Sequence, residues 1–274
     1  MAKILAIVVS YYPEKEAIIK NINSFQDDVD KILIWENTPL KDADSYRFVA
    51  ESEKIQYCGS RDNIGIPRAL NYAWHYALQN SYDYLLIMDQ DSEWLNFSHF
   101  LDETIRKEAK VGLTIWGPNT DISSKSCGTE ELDYLITSGT LVSTSILNLV
   151  NGWPETFTID CVDMDFCYNA RSKGVHLLMV KDALMKQHFG TANLKRSFKN
   201  FKKKQVSSYS PTRLYWIVRN GIILGKKYRN FPTCSYTRGW TLNRGKQIIL
   251  YEDNKLAKLL AIIRGLRDGI KYKF

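Results

Sequence analysis

Short apolar runs alternate with amphipathic stretches along the first third of the chain, and this alternation predicts β-strands joined by helices. We place strands over Lys3–Ser10, Lys31–Glu36, Ile55–Cys58 and Asp83–Asp89, with a helix over Glu14–Phe25. A βαβ series of this kind predicts a parallel sheet, so the pattern alone indicates an α/β fold.

A second helix is predicted between the third and fourth strands. Pro67 suits its first turn, where a backbone N–H is not needed. Leu70, Trp74 and Leu78 recur every four residues. This spacing places them on one face of the helix, and we expect that face to pack on the sheet.

Polar side chains follow each predicted strand. In open α/β sheets the ligand lies beyond the carboxyl ends of the strands, so a nucleotide site is expected where these segments gather. The first strand is not followed by G-x-G-x-x-G, and the chain has no G-x-x-x-x-G-K-[ST], which argues against a Rossmann dinucleotide site and a P-loop. The four segments are Ser10–Pro13, Glu36–Thr38, Asn63–Gly65 and Asp89–Asp91.

The fourth strand ends in two carboxylates, Asp89 and Asp91. Side chains two residues apart on an extended segment point to the same side, so these two repel each other unless a cation lies between them. A hard divalent cation fits oxygen ligands of this kind. A buried strand that runs into an Asp-rich turn explains the same residues without a metal.

Composition indicates a globular protein: the 274 residues are 45% hydrophobic and 24% charged. No apolar run approaches the length of a transmembrane helix, and no signal peptide is evident, so we expect a cytoplasmic protein. The five cysteines are scattered without a C-x-x-C pair, which predicts reduced, mostly buried thiols and neither a zinc site nor a disulfide framework. They are Cys58, Cys127, Cys161, Cys167 and Cys234.

Charge divides the chain into two parts. Residues 1–194 carry 17 Lys+Arg and 27 Asp+Glu, whereas residues 195–274 carry 20 and 3. We therefore predict a catalytic α/β domain over 1–194 and a basic, largely helical region over 195–274. A basic region attracts nucleic acid, an anionic membrane or a polyanionic substrate, and the usual nucleic-acid reader motifs are missing from this sequence.

The last helix predicted in the basic region has an interfacial pattern. Leu256, Leu259, Leu260 and Ile263 follow helical spacing among cations. This pattern predicts a helix at a membrane surface, and an ordinary amphipathic helix docked on the protein is the alternative.

Six motifs follow one another in the chain: Val8–Pro13, Trp35–Asn37, Asn63–Asn71, Met88–Ser92, Thr137–Thr140 with Asn151–Cys167, and Ser210–Asn220. In this order they make the chain resemble the family 2 glycosyltransferases, particularly the bacterial rhamnosyltransferase branch, over roughly residues 3–225.

This resemblance implies a GT-A-type fold, in which a Rossmann-like mixed sheet is flanked by helices. It implies an inverting, metal-dependent transfer of a sugar from a nucleotide to a hydroxyl, with dTDP-rhamnose as the expected donor. A UDP-sugar such as UDP-galactofuranose or a UDP-hexose is the alternative donor. The expected acceptor is a polyprenyl-diphosphate-linked glycan at the inner face of the cell membrane, in the synthesis of a cell-surface polysaccharide.

The resemblance also implies roles for individual residues. Asp163 is the expected catalytic base. Asp91 is the first and Asp89 the second residue expected to hold Mg²⁺ or Mn²⁺ on the diphosphate. His188 is a candidate third metal ligand, and a capping or surface role is its alternative. The expected donor-binding residues are Ser10, Tyr11, Tyr12, Pro13, Glu36, Asn37, Asn63, Gly65, Arg68, Asn71, Asp89 and Gln90.

A sugar or acceptor pocket is expected around a second set of residues. For Trp153 a place in the core is the alternative to sugar stacking, and helix capping alone explains any one of the carboxylates in Asp160–Asp165. The members of this set are Ser138, Gly139, Trp153, Asp160, Asp165, Arg213 and Arg219.

Two other classes of function remain compatible with these residues. A nucleotidylyltransferase also combines an α/β domain with paired carboxylates, but it has a Gly-rich basic loop after the first strand, where this chain has Tyr11–Pro13. A non-catalytic module could bind an anionic membrane or nucleic acid through the basic region.

Overall fold

The structure is a computed structural model that describes residues 2–39, 41, 44–60, 62–187, 192–196, 203–207, 209–231 and 243–274. For residues 44, 106–111, 192–196 and 203–207 it describes the backbone. The chain forms two compact units. Unit 1 comprises Met1–Thr158 with Val162–His188, and unit 2 comprises Ile159–Cys161 with Phe189–Phe274.

Unit 1 is built on a mixed sheet, whose path runs β3-β2-β1-β4-β8-β6-β9-β5, with β7 paired to β9. The strands are β1 Ile4–Ser10, β2 Lys31–Glu36, β3 Ile55–Cys58, β4 Tyr84–Asp89, β5 Glu93–Trp94, β6 Thr114–Asn119, β7 Thr129–Glu131, β8 Leu141–Ser143 and β9 His176–Lys186.

The four strands predicted from the sequence form the parallel half of this sheet. β1 pairs in parallel with both β2 and β4, and β3 continues the parallel ladder beside β2. The almost wholly apolar sequences of β1, β2 and β4 follow from burial on both faces. The prediction of an α/β fold is therefore confirmed, but β8 lies antiparallel to β4 and β6, which makes the complete sheet mixed.

Helices cover the sheet of unit 1. They are α1 Lys15–Asn23, α2 Ile66–Gln79, α3 Phe97–Val111, α4 Thr144–Val150 and α5 Val162–Ser172.

Helix α2 packs on β1 and β4, as predicted, but its buried face is shifted. Leu70 and Trp74 are buried, whereas Leu78 is 39% exposed, so its predicted place on that face is wrong. A helix advances 100° per residue, and eight residues therefore carry Leu78 about 80° away from Leu70. Ala73 and Ala77 fill the buried face instead, at spacings of three and four residues.

Unit 2 contains a hairpin and a helical pair, in which α6 and α7 pack against each other. Its described elements are β10 Ala192–Arg196, β11 Lys203–Ser207, α6 Pro211–Lys227, α7 Lys255–Lys271 and a further helical stretch over 243–251. Ser210 caps α6 by accepting a hydrogen bond from the Arg213 backbone N–H at 3.2 Å. Gly265 and Gly269 let α7 approach closely, because a Cβ at either position would lie within 2.9 Å of an α6 carbonyl oxygen.

The leucine-rich face of α7 points away from α6. Leu256 is 73% exposed, Leu260 50% and Ile263 59%, while the buried positions include Ala261 and Ile262. The alternative of a docked amphipathic helix therefore holds for α7 as a whole, which packs on α6, and for Leu259, which packs against their shared cluster. Leu256, Leu260 and Ile263 do not take part in this docking. Helix packing selects the small residues, because backbones that approach closely leave no room for leucine.

The described helices include none that is both long and apolar enough to cross a membrane. Four cysteines lie in described segments, and none of these four forms a disulfide. Cys167 is buried, but Cys127 is exposed and Cys58 and Cys161 are half-buried, so the expectation of mostly buried thiols is wrong for the cysteines described.

Candidate active site

The ends of β1, β2 and β4 meet through direct hydrogen bonds. The Asn37 N–H donates to the Ser10 carbonyl at 2.8 Å, which extends the parallel ladder past both strands. The side-chain amide of Gln90 accepts from the Tyr11 N–H at 2.7 Å and donates to the Tyr11 carbonyl at 3.1 Å. The predicted gathering of polar strand ends is thus present for three of the four segments.

An exposed aromatic surface follows β1. Tyr11 and Tyr12 are both exposed, and their rings meet edge to face at a centroid distance of 4.7 Å. Tyr46 packs edge to face on Tyr12 at 5.3 Å. The Tyr12 backbone is left-handed, with φ at +44°, and its N–H donates to the Thr38 hydroxyl at 2.9 Å. Such rings offer a rigid face for stacking beside strand-end hydrogen-bonding groups.

Glu36 is buried at the end of β2 and binds Arg47. The guanidinium donates to both carboxylate oxygens, at 2.8 Å from Nε and 2.7 Å from Nη2. It also lies 4.9 Å above the Tyr57 ring. Sequence reasoning missed Arg47 because it stands eleven residues after Glu36, outside every motif. The neighbouring Asn37 accepts a hydrogen bond from the Trp35 indole at 3.1 Å.

Three carboxylates from two segments influence one another at the end of β4. Burial, followed by the negative charges of Asp91 and Asp163, raises the pKa of Asp89 from 3.8 to about 6. A hydrogen bond of 3.2 Å from the Gln187 amide to Asp89 Oδ2 acts in the opposite direction. Asp163 lies in the first turn of α5, as the motif predicts, and its Oδ1 accepts from the Met164 N–H at 2.9 Å. The fold thus brings the expected base to the expected metal ligands.

A buried network holds the Asp89 backbone in place. The Asp89 N–H donates to the Ser138 hydroxyl at 3.0 Å, and that hydroxyl donates to Ser92 Oγ at 2.8 Å. Asn21, on α1, donates to the carbonyls of Asp89 at 2.9 Å and of Ser92 at 2.6 Å. Sequence reasoning missed Asn21 because its partners lie 68 and 71 residues away along the chain and only the fold brings them together.

Gly139 supplies the turn that carries Ser138 beside Asp89. Its φ is +78°, and its N–H donates to the Ile87 carbonyl at 2.7 Å. A Cβ at Gly139 would lie 2.6 Å from Pro118 Cγ and 2.9 Å from Met185 Sδ. Only glycine combines this dihedral with this space, so the glycine of the motif has a steric cause.

Other expected donor residues build the start of α2. Asn63 Oδ1 accepts from the Gly65 N–H at 3.2 Å, which closes a turn just before the helix. Gly65 has φ at +87° and lies against the Thr158 backbone. Further along α2, the exposed Arg68 donates to Glu155 Oε2 at 2.9 Å.

Asn71 and Trp153 form a clamp between α2 and the segment before α5. The Asn71 amide donates to the Trp153 carbonyl and accepts from the Trp153 N–H, both at 2.8 Å. The Trp153 ring is 3% exposed and stacks on Phe166 at 4.4 Å. This is the core position that the sequence left as an alternative to sugar stacking. Asp165 is buried on the same helix as Asp163.

The remaining expected pocket residues belong to unit 2. Arg213 Nη2 donates to Asp160 Oδ1 at 3.2 Å. Burial raises the pKa of Asp160, and the Arg213 charge counteracts it. Asn220 donates to the carbonyls of Ile159 and Asp160 at 2.7 and 3.2 Å. The Arg219 guanidinium lies 5.3 Å from the rings of both Trp216 and Tyr272.

The metal prediction concerns two described carboxylates and one histidine. His188 lies outside the described residues. Within the described ranges, no group of three His, Cys, Asp or Glu side chains is arranged to hold a metal ion by itself. Asp89 and Asp91 nevertheless fit a Mg²⁺ or Mn²⁺ site, because such ions are held by one or two carboxylates together with substrate phosphates. The pKa of Asp89 is raised first by burial and then by the negative charges of Asp91 and Asp163, and a cation at this site would offset that repulsion.

Comparison with known proteins supports the predicted resemblance. No protein-family model matches the chain. The chain is 25% identical over 304 residues to "dTDP-rhamnosyl transferase RfbF" of Shigella flexneri, covering 98% of this chain and 96% of that protein. The resemblance to rhamnosyltransferase-like glycosyltransferases is confirmed by this relative.

Solved structures confirm the GT-A-type fold. The chain aligns with S. aureus TarS 1-349, in complex with UDP-GlcNAc, at a TM-score of 0.58 and 15% identity, covering 98% of this chain and 81% of that one. It aligns with GalNAc-T7, solved with UDP, GalNAc and Mn²⁺, at a TM-score of 0.59 and 10% identity, covering 99% of this chain and 56% of that one.

Proposed function

We propose that the protein is an inverting, metal-dependent glycosyltransferase that moves rhamnose from dTDP-rhamnose to a hydroxyl of a lipid-linked glycan precursor for a cell-surface polysaccharide. The observation that carries the proposal is the cluster of Asp89, Asp91 and Asp163, which two separate segments bring together at the carboxyl end of β4. A structural turn does not require a third carboxylate from a distant helix, whereas glycosyl transfer requires a base opposite a diphosphate site.

Asp163 is the proposed base. Its carboxylate accepts the proton of the acceptor hydroxyl as that oxygen bonds to the anomeric carbon, and the bond from this carbon to the diphosphate oxygen breaks. The nucleoside diphosphate leaves with the electron pair. Attack from the face opposite the leaving group inverts the anomeric configuration. The hydrogen bond from the Met164 N–H at 2.9 Å fixes one carboxylate oxygen of Asp163.

Asp91, with Asp89 as the second ligand, is the proposed holder of Mg²⁺ or Mn²⁺. When bound, such an ion neutralises charge that develops on the departing diphosphate. The Ser138, Ser92 and Asn21 network keeps the Asp89 backbone at a fixed position under this site. Tyr11 and Tyr12 are proposed to stack on the nucleobase, and a pyrimidine of either dTDP or UDP offers the ring face that this requires. A UDP-sugar therefore remains the second candidate donor.

The proposal is tested by nucleotide release from a panel of dTDP- and UDP-sugars, with and without Mn²⁺. We expect metal-dependent release with one donor, and a loss of at least about a hundredfold in Asp91→Ala and Asp163→Asn. The control is Asp27→Asn, an exposed carboxylate outside the site, which should keep full activity. Wild-type activity in folded Asp163→Asn would contradict the assignment of Asp163 as the base. If no nucleotide sugar in the panel released its nucleotide, the proposed function would be wrong.

The protein is proposed to bind its acceptor at the inner surface of the membrane, and α7 is the proposed point of contact with the lipids. Leu256, Leu260, Ile263 and Ile270 form its outward apolar stripe, and Arg264 and Lys271 lie beside it. This combination suits an anionic lipid interface, where the apolar groups enter the acyl boundary and the cations meet head groups. A second copy of the helix would bring like charges together and is disfavoured.

Flotation with vesicles of phosphatidylglycerol and phosphatidylcholine tests this contact. Leu260 and Ile263 are each about half exposed, so insertion into the membrane would supply about half of the full burial energy of each side chain, or about 1 kcal/mol. Serine at both positions should therefore weaken binding by about 2 kcal/mol, or roughly 30-fold. Ile122→Ser is the control, since Ile122 is equally exposed but lies in unit 1. Binding that survives the double change, or that prefers an oligonucleotide to vesicles, would contradict the membrane contact.

A further inference from the structure

A groove of about 920 Å³ lies within unit 1, separate from the carboxylate cluster. One wall is the outer face of α2, and the other is formed by the segment from the end of α4 to Glu155 together with α5. The aromatic residues that line it are Trp35, Tyr72, Trp74, His75 and Trp153. Its polar lining includes Arg68, Asn151, Glu155, Asn169 and Lys173.

The aromatic lining is layered from buried to exposed. Trp35, Trp74 and Trp153 are buried and form the base, whereas Tyr72 is 41% exposed. The Tyr72 ring lies 4.9 Å from that of Trp35, and the His75 ring stacks on Trp74 at 4.5 Å. The rigid base thus holds two exposed rings at the groove surface, and fixed rings lose little entropy when a ligand packs on them.

The polar lining is nearly balanced in charge. Arg68 and Glu155 pair across the groove at 2.9 Å, and both side chains are more than half exposed. Lys173 is held by a hydrogen bond of 2.6 Å to the Leu149 carbonyl. A polyanion such as a nucleoside diphosphate would meet the Glu155 carboxylate, so this lining suits a neutral ligand with many hydroxyl groups.

We propose that this groove binds a neutral oligosaccharide segment of the acceptor glycan. A sugar ring has one face of C–H groups, which packs on Tyr72 and His75, and a rim of hydroxyls, which need both donors and acceptors. Arg68 and Asn151 donate, and Glu155 and Asn151 accept. Ligand pockets for single drug-sized molecules span about 300–1,000 Å³, so this groove has room for more than one ring.

The groove shares helix α5 with the proposed base. On α5, the groove residue Asn169 follows Asp163 by six residues, which corresponds to a rise of about 9 Å along the helix and a rotation of about 120° around it. Trp35 directly precedes Glu36 on β2, so their side chains point to opposite faces of the strand. Only the identity of the bound glycan as acceptor rests on the proposed function.

The test uses the full chain on an array of neutral bacterial surface oligosaccharides, with their monosaccharides as a second set. We expect the wild-type protein to retain oligosaccharides more strongly than monosaccharides. Tyr72→Ala and Glu155→Ala should each reduce retention about tenfold. Tyr72→Phe keeps the ring and should retain the glycan. The matched control is Tyr134→Ala, because Tyr134 is exposed to a similar degree outside the groove.

Each outcome decides the proposal. Retention lost in Tyr72→Ala and Glu155→Ala but kept in Asp91→Ala supports a glycan site independent of donor and metal. The proposal is overturned if the wild type retains no oligosaccharide, or if both Tyr72→Ala and Glu155→Ala retain oligosaccharides as strongly as the wild type does. Nucleotide release from dTDP- or UDP-sugars, measured separately, shows whether the proposed function has failed instead.

Discussion

Replacing Asp89 by Asn should stabilise the protein at neutral pH and leave its stability at low pH almost unchanged. Burial, with the charges of Asp91 and Asp163, raises the pKa of Asp89 from 3.8 to about 6. The folded state therefore holds this proton more tightly than the unfolded state does. As the pH rises from about 4 to about 6, the unfolded chain loses the proton first, and the free energy of unfolding falls.

The size of this effect follows from the shift of about two pKa units. Each unit corresponds to about 1.4 kcal/mol, so ionised Asp89 costs the wild-type protein about 3 kcal/mol above pH 6. Asparagine keeps the oxygen that accepts from Gln187 but carries no charge. We therefore expect Asp89→Asn to gain about 3 kcal/mol over the wild type at pH 7.5 and nothing at pH 4. Loss of activity in the same variant would be a case of stability traded for function.

Urea unfolding in EDTA at a series of pH values measures this difference without a bound cation. Asp121→Asn is the control, because hydrogen bonds from Ser123 lower the pKa of Asp121, so this carboxylate stabilises the fold above its ordinary pKa. That variant should lose stability as the pH rises, in the direction opposite to Asp89→Asn. An Asp89→Asn difference that is the same at pH 4.5 and pH 7.5, or a variant less stable at pH 7.5, would refute the reasoning.

Two further predictions concern stability. Glu252→Gln should cost about 3–5 kcal/mol in chemical denaturation followed by helical circular dichroism, because it leaves two buried cations, at 2.6 and 2.7 Å, without their counter-charge. Asp268→Asn, in a more exposed pair of the same 2.7 Å length, should cost much less, and equal costs would contradict the role of burial. Gly139→Ala should lower the melting temperature far more than Gly174→Ala, since both glycines have φ near +80° but only Gly139 has atoms within 3 Å of the added methyl; similar losses would show that the dihedral alone matters.

The strands around the site could be predicted because their physical cause is local. A strand buried on both faces needs a continuous apolar run, and the runs before Ser10, Glu36 and Asp89 end where polar residues begin. The motif around Asp163 could likewise be placed at the first turn of a helix. These features depend on neighbours in the sequence, so the sequence pattern contains them.

The partners of the site residues could not be predicted, because they come from distant segments. Arg47 on Glu36, Asn21 under Asp89 and Ser138 beside Ser92 are all selected by the folded backbone. The role of Trp153 could not be predicted either. The residues around it in the sequence fit a sugar-stacking role or a core position equally well, and only its stacking on Phe166 in the structure shows that it lies in the core.

Tertiary packing also determines which face of a helix is buried. On α7, apolar spacing allowed Leu256, Leu260 and Ile263 either to face a membrane or to dock on the protein, and close packing against α6 buries the glycine face and leaves these three side chains outside. The sequence by itself determined the α/β alternation, the polar strand ends and the basic region, since each is a property of consecutive residues. The tertiary structure alone decided which carboxylates meet, which tryptophan is buried and which stripe stays exposed, because these depend on distances between residues that are far apart along the chain.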